Sequence, residues 1–185
     1  MSAMLSDVEL SKALSHALRH EPWLYELELD DEGWASLDAV LGALRVGRTE
    51  WAELSRADLE RTIDSSPKRR HEVAGDRIRA LYGHSLPGKL RRKRAPPPAV
   101  LFHGTSPDAA NAIMLGGLRP MSRQYVHLSV DTAMAHEVGR RKSMTPALIQ
   151  IDARAAHEAG VAFYEGNEKV WLTDVVPACF MRVLP

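Results

Sequence analysis

Apolar residues recur at helical spacing in successive stripes along the N-terminal part of the chain. Leu10, Leu14, Ala17 and Leu18 form the first stripe. It is preceded by Ser6-Asp7-Val8-Glu9, a capping-box pattern in which Ser6 caps and Glu9 bonds back. Pro22 marks the end of that helix. Gly33-Trp34-Ala35-Ser36 predicts a turn and a short strand, with Ser36 as N-cap of a second helix carrying Leu37, Val40, Leu41 and Leu44. A third helix is predicted from near Ser55, with Ala57, Leu59 and Ile63 on its apolar face, until Pro67. The pattern then becomes strand-like. Arg69–Val73 and Arg77–Leu81 are expected strands, joined by Ala74-Gly75-Asp76. Three helices followed by a hairpin is the winged-helix pattern, a class that often meets nucleic acid but does not by itself decide function.

Arg91-Arg92-Lys93-Arg94-Ala95-Pro96-Pro97-Pro98 breaks the chain. Charge and consecutive prolines favour an extended, semi-rigid connector. The expected organisation is a lobe over residues 1–90, a basic proline-rich linker over 91–98, and a second lobe over 99–185. In the second lobe Val100–His103, Tyr125–Ser129, Ala147–Ile151, Val161–Tyr164, Lys169–Thr173 and Cys179–Val183 are predicted strands. Ala109–Leu115, Thr132–Val138 and Ala153–Ala159 are predicted helices. The fold class is therefore α+β, with a mixed or antiparallel sheet in the second lobe. No GxGxxG follows the first strand, which disfavours a Rossmann site.

An apolar share of 45% over 185 residues suits a globular protein. No apolar run is long enough to predict a transmembrane helix. MSAMLSDVELSKAL has no basic segment followed by an apolar core, so no secretory signal is expected. The one cysteine, Cys179, cannot close an internal disulfide and is predicted to be a packed strand thiol; a cytoplasmic protein is expected. No heptad or long apolar stripe calls for a partner chain, and a monomer is the expectation.

Lys and Arg (24) balance Asp and Glu (24), yet the basic residues cluster between Arg61 and Arg94. Such a cluster attracts a phosphate backbone. It reads equally as a solvated basic hairpin and linker. Lys68, Arg69, Arg77 and Arg79 are the weaker candidates for nucleic-acid backbone contacts, which position rather than specify. No His/Cys/Asp group has metal-ligand spacing.

The candidate chemistry sits in short polar motifs: Leu18-Arg19-His20, Lys68-Arg69-Arg70-His71-Glu72-Val73, Gly83-His84-Ser85, His103-Gly104-Thr105, Ser122 to Ser129, and Val170-Trp171-Leu172-Thr173. Singly, each has an ordinary explanation. Arg19 and His20 suit a helix C-terminus, where cations complement the dipole. Arg70 suits a solvated wing, Arg123 a surface loop, and His103 and His127 hydrogen-bonded strand positions. In this order and spacing the motifs resemble the RNA 2′-phosphotransferases, from about Ser11 to about Pro177.

That family uses NAD to strip an internal 2′-phosphate from spliced RNA, with no metal. The resemblance implies a winged-helix lobe followed by an ADP-ribosyltransferase-like, mixed-sheet NAD-binding lobe. It places His103, Gly104 and His127, with Thr105 and Ser129 beside them, around NAD. It places Arg19, His20, Arg70 and Arg123 around the phosphate, where forked guanidinium donors suit a dianion. It implies two steps. The RNA 2′-phosphate displaces nicotinamide, giving a 2′-phospho-ADP-ribosyl RNA. The ribose 2″-hydroxyl then attacks phosphorus, releasing 2′-OH RNA, such as tRNA, and ADP-ribose 1″,2″-cyclic phosphate. Protein-modifying ADP-ribosyltransferases carry a glutamate on the third strand; here apolar Val170 occupies that point. A phosphate dianion is already a nucleophile, and a carboxylate would repel it.

The sequence departs from the family at Tyr125, His71, Arg141-Lys142-Ser143 and Asn167-Glu168-Lys169. These leave the role of Arg140 and of the loop before Val170 open. His84 and Ser85 match a family motif, and structural and functional roles are equally open for them. The alternative reading is an ADP-ribosyltransferase that stops after the first step, on a nucleic-acid terminal phosphate. A third is a winged-helix nucleic-acid binder without catalysis.

Overall fold

The computed structural model describes residues 6–185. Met1–Leu5, the start of the stretch expected not to be a secretory signal, lies outside the described residues. The chain divides into two compact units, one running to Arg91 and the other from Arg92 to Pro185.

The N-terminal unit begins with α1 (Asp7–Arg19), whose stripe of Leu10, Leu14, Ala17 and Leu18 is wholly buried. Ser6 accepts from the Glu9 amide, but Glu9 does not complete the expected box; its carboxylate instead lies 3.6 Å from Arg48. A 3₁₀ turn follows at Pro22–Tyr25, then β1 (Ala35–Ser36), α2 (Leu37–Gly47) and a second 3₁₀ turn, Thr49–Trp51. Ser36 caps α2 through the Ala39 amide. In α3 (Arg56–Asp64) Ser55 and Asp58 form a reciprocal capping box. The inward face of α3 is Leu59, Thr62 and Ile63, whereas Ala57, expected there, is exposed. Buried Thr62 is satisfied by donating to Asp7 Oδ1 at 2.7 Å. The hairpin comprises β2 (His71–Ala74) and β3 (Arg77–Ala80), turned at Gly75 with φ 57°. The sheet order is β1-β3-β2, all antiparallel. Arg70, expected inside the first strand, immediately precedes it.

The C-terminal unit runs β4 (Val100–Thr105), α4 (Pro107–Gly116), β5 (Val126–Ser129), α5 (Thr132–Gly139), β6 (Ala147–Asp152), α6 (Ala153–Glu158), β7 (Phe163–Glu165), β8 (Val170–Thr173) and β9 (Met181–Val183). The sheet order is β7-β8-β5-β4-β6-β9. Every described pairing is antiparallel, one of the two arrangements expected from the pattern and not the mixed sheet that the resemblance implies. The reason is the position of β4. It lies between β5 and β6 and runs opposite to both, so the chain crosses through α5 without forming a parallel ladder. Leu101, Leu128, Ile149, Ile151 and Phe163 form the centre of its core. Residues at the head of this unit join it by a backbone bond from Ala95 to the Phe163 carbonyl. Cys179 is exposed in a 3₁₀ turn, Ala178–Phe180, rather than packed in a strand. The Phe180 amide is taken by the Pro177 carbonyl at 3.2 Å, closing that turn, so β9 begins only at Met181.

Candidate functional site

In the N-terminal unit the candidate residues gather where α1 ends. His20 is the C-cap, its amide donating to the His16 carbonyl at 3.1 Å. One step earlier, Arg19 is a buried charge with 8% of its surface exposed. Its Nη2 donates to the Arg70 carbonyl at 3.4 Å, and its guanidinium lies 5.1 Å from the centre of the Tyr82 ring. The same Arg70 carbonyl accepts from the Leu81 amide at 2.9 Å, so the hairpin edge and the helix end share one acceptor. Arg70 Nη1 donates to Ser66 Oγ at 3.2 Å. An arginine complementing a helix dipole would stand in solvent. Burying a guanidinium is costly unless something offsets it, which marks Arg19 as more than a dipole partner.

His71 is the residue that sequence reasoning passed over. It is 3% exposed, with Nε2 3.2 Å from Ser15 Oγ. Burial first, and then the charges of Arg19 and Arg70, push its pKa down to about 3. Neutral His71 therefore packs beside two arginines without adding a third charge. The available signal was its place next to Arg70; its burial depends on a helix residue 56 positions away.

Among the weaker candidates, Lys68 is half-buried and Arg69 exposed. Arg77 and Arg79, two apart on β3, lie with their guanidinium carbons 5.0 and 4.4 Å from the centre of the Trp34 ring. Arg79 also pairs with Glu72 at 3.3 Å.

In the C-terminal unit β4 presents His103, Gly104 and Thr105. Between β4 and β5 the register among the described residues is a single pair, Phe102 with Ser129. Beyond it the His103 ring spans the gap, with Nδ1 3.0 Å from the His127 carbonyl. Because a carbonyl only accepts, Nδ1 carries the proton and Nε2 of the neutral ring is an acceptor. Burial, the largest effect, holds the His103 pKa below its ordinary value; the carbonyl bond opposes this and Lys142 assists it. Gly104 is packed against α5 so closely that a β-carbon there would meet the Ala135 carbonyl oxygen at 1.8 Å.

His127 and Ser129 share one face of β5. Ser129 pairs with Phe102 on one side and Val170 on the other. Val170 is 5% exposed and opens β8, whereas Glu168 is exposed in the preceding loop. Asn167 Oδ1 fixes that loop by accepting from the Lys169 and Val170 amides, both at 2.8 Å. Arg123 is exposed in the bends before β5. Tyr125 is buried edge-on to Tyr164, with ring centres 5.1 Å apart; burial first, then Tyr164 and Asp174, push it up to about 12. Arg140 caps α5 through its amide to the His136 carbonyl at 2.9 Å.

Arg19 is thus joined to the Arg70 carbonyl within the N-terminal unit, with His20 next to Arg19 at the helix end, while His103, Gly104, Thr105, His127 and Ser129 lie on β4 and β5 of the C-terminal unit, which also carries Arg123. Among the described residues no group of His, Cys, Asp or Glu could hold a metal ion, and no helix is long and apolar enough to cross a membrane.

Comparison with known proteins agrees in extent with this pattern. The family model described as "RNA 2'-phosphotransferase, Tpt1 / KptA family" matches residues 5–175. A protein of Bacillus thuringiensis subsp. konkukian named "Probable RNA 2'-phosphotransferase" is 49% identical over 174 residues, covering 94% of each chain. Proteins of the same name from Acetivibrio thermocellus and Pseudomonas aeruginosa are 44% and 45% identical, each over 94% of this chain and 95% of the relative. With both groups of motif residues inside a match of that length, the chain belongs to the RNA 2′-phosphotransferase (Tpt1/KptA) family of transferases.

Proposed function

We propose that this chain transfers an internal 2′-phosphate of RNA to NAD, giving 2′-OH RNA, ADP-ribose 1″,2″-cyclic phosphate and nicotinamide. One observation carries the reading. The buried Arg19 guanidinium, next in sequence to His20, donates to the main-chain carbonyl of Arg70, 51 residues away, at 3.4 Å, and the charges of both arginines act on His71. A buried cationic group of this kind suits a dianion whose charge must be held while a bond to phosphorus changes. In this reading the N-terminal unit is a winged-helix lobe; three helices ahead of an antiparallel hairpin support it. The C-terminal unit is an ADP-ribosyltransferase-like lobe, for which the gap spanned by His103 is the support.

The residues of β4 and β5 fit NAD by their donor set. A ribose hydroxyl needs an acceptor, and neutral His103 offers Nε2 because Nδ1 is committed to the His127 carbonyl. Gly104 and Thr105 continue that edge, with His127 and Ser129 on the neighbouring strand. When bound, NAD supplies an electrophilic anomeric carbon with nicotinamide as leaving group. Val170, in place of an acid, leaves an incoming phosphate unrepelled. Arg19 helps hold the phosphate, Arg70 and Arg123 stabilise the charge that builds on its oxygens, and His20 moves a proton at the transferring group. Lys68, Arg69, Arg77 and Arg79 are assigned to the RNA backbone. The enzyme is read as a cytoplasmic monomer acting on RNA of the kind that tRNA splicing produces.

The test is a short RNA with one internal 2′-phosphate, incubated with and without NAD and followed by mass. NAD-dependent loss of the phosphate with appearance of the cyclic phosphate is expected. RNA that keeps a stable ADP-ribose would replace this reading with end ADP-ribosylation. No change in either species would leave a binding protein.

A further inference from the structure

Ser85 closes on the end of α1 with two bonds. Its amide donates to the Arg19 carbonyl at 2.9 Å, and its Oγ lies 2.7 Å from His20 Nδ1. The first bond fixes the loop carrying Ser85 against the helix end, which brings its exposed hydroxyl within reach of the ring. It reaches a residue 65 positions earlier in the chain. The second bond is short and joins an imidazole to a group that both donates and accepts.

We propose that Ser85 is a positioning residue for His20 in the transfer reaction, fixing the imidazole through Nδ1 so that Nε2 is the atom that handles the proton. This rests on the transferase reading above. The chemistry favours a hydroxyl over a carboxylate as the partner at Nδ1. A carboxylate there would stabilise the imidazolium and keep its proton bound. The Ser85 hydroxyl oxygen accepts from Nδ1–H without bringing a charge. With Nδ1–H committed to Ser85, Nε2 is the atom left to gain and lose a proton, and the contact holds in both states. The neighbouring His16 contrasts with it. His16 is tied to Glu21 at 2.8 Å and to the Tyr25 hydroxyl at 3.1 Å, an arrangement with an acid partner.

The decisive variants are Ser85→Ala and Ser85→Thr in the full chain, each also made in a His20→Ala background. Ser85→Ala is expected to lower kcat about tenfold with KM for NAD and for 2′-phosphorylated RNA unchanged, and Ser85→Thr to restore it. In the His20→Ala background Ser85→Ala is expected to cost nothing further. Equal costs with and without His20, or a loss confined to KM, would overturn the proposal. A second readout needs no activity. The ¹⁵N shifts of the His20 ring should move in Ser85→Ala and return in Ser85→Thr; unmoved shifts overturn it. If the wild-type chain makes no cyclic phosphate, the transferase reading fails on its own, and the ring shifts still decide whether Ser85 holds His20.

Discussion

His103 Nδ1 lies 3.0 Å from the main-chain carbonyl of His127, so the two histidines are linked through the backbone of one and the ring of the other. Replacing the His127 side chain leaves that carbonyl in place. His103 therefore keeps its orientation and its Nε2 acceptor in His127→Ala. Each single alanine variant is expected to lower kcat/KM for NAD by roughly tenfold or more, the order of a lost hydrogen bond to a bound ligand. The double variant should show the two losses adding to within about 0.5 kcal/mol. Steady-state kinetics over a range of NAD concentrations check this. Strong coupling between the two would mean that the rings act as one unit rather than through separate contacts.

Gly104 and Gly139 form a mutual close approach between β4 and α5. A β-carbon at Gly104 would meet the Ala135 carbonyl oxygen at 1.8 Å, and one at Gly139 would meet the Gly104 carbonyl carbon at 3.1 Å. Both obstacles are backbone, which cannot rotate away. Gly104→Ala is expected to destabilise by about 3 kcal/mol or more, at the upper end of overpacking costs, because strand and helix must separate. Gly139→Ala should cost less, since its shortest contact is Pro146 Cβ at 2.7 Å and the backbone contacts there are looser. Chemical denaturation of each variant measures the order. A Gly104→Ala protein as stable as the parent would show that α5 is free to shift.

Much of the architecture is legible in periodicity, and the exceptions are informative. Leu10, Leu14, Ala17 and Leu18 are all fully buried, because a repeating apolar stripe can satisfy itself against any neighbouring apolar face. Thr62 is also buried, yet no pattern in its helix marks it; its partner is Asp7, 55 positions earlier. His71 is hidden in the same way, its burial set by Ser15 on another element. Gly104 is recognisable as a close-approach residue, but Gly139, which faces it, lies in a helix whose sequence gives no hint of contact. Arg19 and Arg70 are legible as motif members. That the Arg19 side chain donates to the Arg70 carbonyl is a product of how the hairpin returns to α1. Positions fixed by local pattern can be read directly, and positions fixed by a partner fifty residues distant cannot.

Acid should weaken the N-terminal unit through His71. An unfolded histidine takes up a proton as pH falls through its ordinary 6.5, while folded His71 stays neutral down to about 3. The stability tied to this group is whole above pH 6.5 and is lost as pH falls from there towards 3, at up to about 1.4 kcal/mol per pH unit. His71→Phe should cost some stability at pH 7, through loss of the Ser15 contact, but its stability should fall less steeply between pH 6 and 4. Urea midpoints of parent and variant at several pH values compare the two slopes. Parallel slopes would show that His71 is protonated in the folded chain.

On the proposed reaction, Arg70 and Arg123 should separate its two steps. In the first step the phosphate attacks with charge it already carries, so the demand on Arg70 and Arg123 is to hold it in place. In the second, charge builds on the phosphoryl oxygens as the RNA 2′-oxygen departs, and this is where a guanidinium contributes most. Arg70→Ala and Arg123→Ala are each expected to slow cyclic-phosphate release by roughly a hundredfold to a thousandfold. The first step should slow much less, so RNA carrying ADP-ribose on its 2′-phosphate should accumulate and be visible by mass. Lysine variants should recover part of the rate but not all, because an ammonium cannot reproduce the forked contact. If the variants stop nicotinamide release as completely as they stop cyclic-phosphate formation, with no adduct at any time, the arginines act at or before the first step and this division of labour is wrong.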